Sequence, residues 1–265
     1  MLSTLVMYCL VGGVAGILAG LLGIGGGLVI VPMLVYVFEL NAFPKELIMH
    51  LALATSMASI MFTSVSSFMA HHRRGAVRWD VVRKIVIGIL TGTFLGSCFA
   101  SSLSSNFLKI FFVIFLYFVV VQLLLNKKPK GGRDLPGMAG MFAVGNIIGA
   151  VSSFVGIGGG TLSVPFMLWC NIKVHNAIGT SAAIGLPIAV AGTLGYIVGG
   201  WNVAGLPAYS VGYVSLPALV GIAAASVLTA PLGVKLAHSL PVDKLKRIFA
   251  LLLFVVATKM LVSVL

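Results

Sequence analysis

The chain has 265 residues, of which 60% are hydrophobic and 8% charged, and its formal net charge is +12. Soluble domains carry about a quarter charged residues, so this composition excludes a protein that covers itself with polar surface in water; its solvent must be hydrocarbon. The positive charge does not indicate nucleic acid, because the basic residues fall in short runs between apolar stretches, the bias expected of cytoplasmic loops.

In chain order, apolar stretches fall at about 5–38, 46–70, 85–101, 107–125, 138–170, 174–199, 211–237 and 243–264. Most suit one membrane crossing, since about 20 helical residues span the roughly 30 Å of hydrocarbon. No Lys or Arg precedes Lys45, and no small-residue cleavage site follows a short apolar core, so the start reads as the first membrane segment and not as a cleaved leader. The first and fifth stretches are too long for one crossing, at about 50 Å if helical throughout. Each is interrupted by three consecutive glycines, Gly25–Gly27 and Gly158–Gly160, with Pro32 or Pro165 five residues on. Glycine is a poor helix former, so each stretch is expected to be two half-helices.

These two stretches mark an internal repeat. Residues 23–32 read GIGGGLVIVP and residues 156–165 read GIGGGTLSVP, an offset of 133. Downstream, Ala54-Thr55-Ser56 matches Gly179-Thr180-Ser181, and Leu95-Gly96, Ser102-Leu103 and Leu108-Lys109 match Leu232-Gly233, Ser239-Leu240 and Leu245-Lys246 in the same order. The chain therefore divides into a first membrane repeat at 1–125, a linker at 126–136 rich in Lys, Gly and Pro, and a second repeat at 137–265.

Charge decides how each broken stretch sits. If each turns back as a re-entrant hairpin, all the Lys and Arg except Lys45, Lys109 and Lys259 fall on one side, a split of 14 to 3. If each crosses once, the split falls to 10 against 7. The first arrangement satisfies the positive-inside rule far better. With three full crossings per repeat, an odd number, the second repeat is then inverted relative to the first, and both termini lie outside. The expected fold is an all-α integral membrane protein of two inverted repeats, each a Gly-broken helix pair plus three transmembrane helices. Inverted repeats with broken helices are a transporter signature.

The breaks are the first candidate site. Gly25, Gly26 and Gly27, and Gly158, Gly159 and Gly160, let the backbone turn sharply and approach a ligand closely. A half-helix beginning at Leu28 or Thr161 aims free N–H groups and its positive end at the break, which suits an anion. Thr55, Ser56, Thr180 and Ser181 lie in the crossing after each break, where hydroxyls can donate to an anion or bond the preceding helical turn. His71, His72, Arg73 and Arg74 end a crossing on the basic side and form either a solvated loop or an electrostatic funnel at a cytoplasmic mouth.

The five acidic residues, Glu39, Glu46, Asp80, Asp134 and Asp243, all fall at expected helix ends or in loops. Proton- or sodium-coupled carriers usually keep carboxylates within the membrane, so a facilitated or channel-like route for an anion is favoured. Coupling through His50 or His175, both at helix starts, keeps a proton-coupled carrier open as the alternative. Cys9, Cys98 and Cys170 are far apart and form no metal spacing. No Walker loop, HExxH, dinucleotide fingerprint or Gly-x-Ser-x-Gly set occurs, so neither an enzyme nor a cofactor is expected. Small-residue stripes such as Gly88–Gly92–Gly96 suit packing within one protomer or between two copies, which leaves a homodimer open.

The segment Gly12–Pro32 (GGVAGILAGLLGIGGGLVIVP), its counterpart Gly145–Pro165, and the Ala-Thr-Ser and Gly-Thr-Ser that follow resemble the TauE/SafE sulfite-exporter family, also called the toluene-sulfonate uptake permease family. The resemblance covers nearly the whole chain. It implies a bacterial inner-membrane protein that moves sulfite, sulfoacetate or another sulfur-containing anion, with the family's Gly-rich breaks at Gly23–Gly27 and Gly156–Gly160.

Overall fold

The computed structural model describes residues 2–22, 26–125, 132–239 and 242–263. The first stretch forms α1 (Leu2–Leu22) and α2 (Gly27–Leu40), followed by α3 (Lys45–Arg73), α4 (Trp79–Ser101) and α5 (Ser105–Leu125). The second half repeats the order as α6 (Met138–Val155), α7 (Gly160–Trp169), α8 (Val174–Gly200), α9 (Leu216–Ser239) and α10 (Val242–Val262). Of these, α3, α4, α5, α6 and α8 are long and apolar enough to cross a membrane. One boundary differs from expectation. The stretch from residue 211 does not begin as helix, because β1 (Ser210–Val211) and β2 (Val214–Ser215) pair antiparallel around a left-handed Gly212 before α9 starts.

Both long stretches break at glycine. Gly26 and Gly159 precede α2 and α7 with φ of 68° and 76°, a left-handed conformation that costs a side-chain-bearing residue energy and glycine almost none. The prolines sit inside the half-helices. Lacking an N–H, each leaves the carbonyl four residues back, Leu28 or Thr161, without its helical donor.

The two ends of each stretch come close to one another. Thr4 Oγ1 donates to Asn41 Oδ1 at 3.2 Å, and the Tyr8 ring meets Phe38 edge-on at 6.2 Å, so the start of α1 lies beside the end of α2. In the second half the Arg133 guanidinium lies 5.1 Å over the Trp169 ring, and Asn171 Nδ2 donates to the Arg133 carbonyl at 3.2 Å. The chain entering α6 is therefore beside the end of α7.

The halves exchange partners. The first helix of each packs on the fourth helix of the other, α1 on α9 and α6 on α4, while α3 packs on α8 and α5 on α10. Matched glycines make the close crossings. A Cβ on Gly12 would stand 2.5 Å from the Ile222 carbonyl oxygen, and one on its counterpart Gly145 2.6 Å from that of Ile85. The stripe Gly88–Gly92–Gly96 is used within the protomer, against Phe142, Asn146 and Ala150 of α6. Small residues of this kind let helix backbones approach where lipid supplies no hydrophobic drive for association.

Candidate functional site

The two breaks meet. Gly27 is pressed against the Gly156 carbonyl oxygen and lies where a Cβ would be 3.1 Å from Ile157 Cα; Gly156 in turn faces Val31 and Leu53, and Gly158 faces Ile60 and Gly185. Ile60 and Gly185 fall near the middle of α3 and α8, the two longest helices at 29 and 27 residues. Ser56 Oγ ties the halves together by donating to the Gly156 carbonyl at 2.8 Å.

The start of α7 carries unused donors. The Gly159 carbonyl accepts from the N–H groups of Leu162 and Ser163 at 3.1 and 2.8 Å and from Ser163 Oγ at 2.9 Å. No side chain caps the helix, and among the described residues the N–H groups of Gly160 and Thr161 have no acceptor. Two hydroxyls beside them also lack partners, Thr161 Oγ1 and Ser152 Oγ. Ser152 is fully buried and Thr161 only 8% exposed, and Ser152 Oγ lies 3.7 Å from where a Cβ on Gly159 would stand. Buried polar groups are satisfied in the great majority of cases, so these unpartnered hydroxyls and free N–H groups are donors left available at the positive end of a helix, the chemistry that an anion requires. Among the described residues no carboxylate opposes this: Glu39 ends α2 and Glu46 and Asp80 lie in the first turns of α3 and α4.

The other expected residues divide. Ser181 reaches the same helix, with its Oγ 2.8 Å from Ser163 Oγ. Thr55 and Thr180 hold structure across the two halves. The Ser215 N–H, just before α9, donates to Thr55 Oγ1 at 3.0 Å, and the Arg78 N–H, just before α4, donates to Thr180 Oγ1 at 2.9 Å. Each hydroxyl thus accepts from the start of the other half's fourth helix and keeps its own proton to donate. Gly25 lies outside the described residues.

His71, His72, Arg73 and Arg74 are not at the breaks. They end α3, eleven residues beyond Ile60 and about 16 Å away along the helix at 1.5 Å per residue. The His72 ring stacks on Phe68 at 5.7 Å, Arg73 and Arg74 are exposed, and His71 Nδ1 is buried without a partner among the described residues. Just past the end of α3, the Asp80 carboxylate clasps the Arg78 guanidinium at 2.6 and 2.8 Å and raises its pKa. His50 is buried, with ring nitrogens 3.2 and 3.0 Å from the carbonyls of Glu46 and Leu103 and its face stacked on Tyr213 at 4.8 Å.

Sequence reasoning overlooked Ser152 and Ser163. Their counterparts 133 residues earlier are Ala19 and Ile30, so a search for matched polar pairs passes over them. The available signal was the hydroxyls flanking the second break, Ser152-Ser153 before it and Ser163 after it.

A helical membrane protein of two partner-exchanging halves, whose broken helices meet at their glycines, belongs to the class of transporter-like membrane proteins. Comparison with known proteins makes this specific: residues 8–260 match the family described as Sulfite exporter TauE/SafE, and the chain belongs to that family. It is 41% identical over 260 residues to a probable membrane transporter protein of Haemophilus influenzae, covering 97% of this chain and 98% of that one. It is 27% identical over 264 residues to a probable membrane transporter protein of Methanocaldococcus jannaschii, covering 98% and 96%. No solved structure matches the chain.

Proposed function

We propose that this protein moves a small sulfur-containing anion such as sulfite, sulfoacetate or a related organosulfonate out of the cell, by a facilitated or channel-like route through the meeting point of the two breaks. The observation that carries this reading is the pair of buried, unpartnered hydroxyls at the N-terminus of α7, Thr161 and Ser152. Free N–H groups and neutral hydroxyls bind an oxyanion without placing a full charge in the membrane. The family description supplies the sulfur chemistry.

The membrane arrangement that goes with it makes α1–α2 and α6–α7 re-entrant hairpins, entering from opposite faces of an inner membrane. Three crossings per half then leave the repeats inverted, the basic loops cytoplasmic and both termini outside. The neighbouring ends of α1 and α2, and of the chain around α6 and α7, support hairpins. The place of the breaks halfway along α3 and α8 supports a site near the bilayer midplane, where irregular backbone is tolerated only in protein or facing a cavity. An inside-negative potential favours anion exit by about 2.3 kcal/mol per charge per 100 mV, so export needs no coupling carboxylate.

The test is anion efflux from proteoliposomes holding the purified full chain, with sulfite, sulfate, thiosulfate, sulfoacetate and taurine compared. Flux of at least one sulfur oxyanion, lost in a Thr161→Val/Ser152→Ala double variant, is expected; no flux of any anion would sink the function, and undiminished flux in the double variant would sink the site.

One observation favours a second reading, a proton-coupled carrier. Both ring nitrogens of His50 face carbonyl oxygens. A neutral imidazole can donate to one of them and an imidazolium to both, so protonation of His50 changes how α3 is tied to the loop before α5.

A further inference from the structure

A second feature lies apart from the breaks. A recess of about 250 Å³ opens between α1, α2 and α10, lined by apolar side chains including Val11, Pro32, Met33, Val35, Val256 and Met260. It is smaller than the roughly 300–1,000 Å³ of an ordinary small-molecule pocket and suits a length of single hydrocarbon chain. Its polar lining groups, Glu39, Lys259 and Ser263, stand in or just past the last turns of α2 and α10. Both helices end there, which puts that end of the recess level with the membrane–water boundary.

The charges at this end are not balanced. Lys109 Nζ lies 3.2 Å from Glu39 Oε1, so that carboxylate is already taken. Lys259 has no carboxylate partner among the described residues. Its Nζ sits 4.1 Å above the ring of Tyr36, which is half-exposed. A cation on an aromatic face keeps its full charge and its outward N–H groups.

We propose that this recess seats an anionic phospholipid, with one acyl chain along the apolar wall and the phosphate on Lys259. A soluble phosphate would leave the wall uncovered, and a zwitterionic lipid brings its own cation beside the phosphate, so that it offsets the lysine less than an anionic lipid does. The proposal is independent of which solute the protein carries.

Native mass spectrometry and thermal unfolding of the full chain in neutral detergent test it, with phosphatidylglycerol, phosphatidylcholine of the same chains, or sodium phosphate added. Retention of phosphatidylglycerol about fivefold above phosphatidylcholine is expected, the worth of one lysine near an anionic surface. Lys259→Gln should bring the two lipids to parity, while Lys173→Gln, an exposed change at the start of α8, should leave the preference intact. Val256→Phe, which fills the recess, should reduce retention of both lipids. Equal retention of the two lipids by the unmodified chain overturns the proposal whether or not any variant folds. So do a preference that survives Lys259→Gln, undiminished lipid retention in Val256→Phe, and stabilisation by phosphate equal to that by the lipid.

Discussion

Replacing Thr161 by Val separates a binding role from a structural one, because the two predict opposite signs. Valine keeps the shape of the side chain and removes only the hydroxyl. That hydroxyl is buried and has no hydrogen-bond partner among the described residues. A buried, unsatisfied polar group costs a fold about 1–3 kcal/mol, so its removal should leave the thermal midpoint unchanged or raise it. A hydrogen bond to a charged ligand contributes about 1.5–3 kcal/mol, so the same substitution should weaken anion binding about 10- to 150-fold. Ser163→Ala is the control: its hydroxyl is engaged by the Gly159 carbonyl and Ser181 at 2.9 and 2.8 Å, and its loss should lower the midpoint. Scanning fluorimetry of the purified chain with and without sulfite, beside a calorimetric titration, reads both quantities. A Thr161→Val protein that melts earlier and binds as tightly as before would refute the reasoning and return Thr161 to ordinary packing.

Three further substitutions address the frame and the alternative. Thr55→Val removes the acceptor of the buried Ser215 N–H and should cost about 1–3 kcal/mol. Thr180→Val should cost less, about 0.5–1.5 kcal/mol, because Arg78 is exposed and water can replace the lost acceptor; equal losses in denaturation midpoints would contradict this difference. Gly92→Ala places a Cβ 2.5 Å from Asn146 Cα and should destabilise by about 1–3 kcal/mol through overpacking, whereas Gly137→Ala meets nothing within 4 Å and should be silent in the same melt. If protons are coupled through His50, flux should vary between pH 5 and 8, the range of histidine titration, and become flat in His50→Gln; a flat profile in the unmodified chain removes the second reading.

What the sequence made legible is what the duplication repeats. The glycine breaks before α2 and α7 and the apolar stretches that form α3, α4, α5 and α8 could be placed, because hydrocarbon burial and backbone freedom act through residue type alone; the linker at 126–136 lies largely outside the described residues. The paired hydroxyls at 55 and 180 were equally visible as a pair, but their partners were not. The N–H groups they accept from lie 160 and 102 residues away in the chain, and nothing in a local pattern points across the two halves. The short strands at 210–215 went unseen for a related reason. Their apolar residues run on into α9, and the left-handed Gly212 that separates strand from strand has a left-handed counterpart in Gly75, four residues before α4, where no strand pair is described, so the glycine alone does not announce the strands.

The same logic explains why the center of the site was read as more symmetric than it is. A repeat search finds positions that match, and the backbone does match: Gly26 and Gly159 share one conformation at one offset. The side chains around them do not. Thr161, Ser163 and Ser152 stand where the first half has Leu28, Ile30 and Ala19, with Leu28 and Ile30 buried in the apolar core. The doubled glycines supply two helix ends at the meeting point, but at these three positions only the second repeat carries hydroxyls. In the proposed site a single anion is held by one helix end with its neighbour kept apolar, and that asymmetry lets it go; two equal polar ends would hold a buried charge from both sides and release it slowly. On that proposal, divergence at these three positions, and not the repeat itself, sets the binding strength.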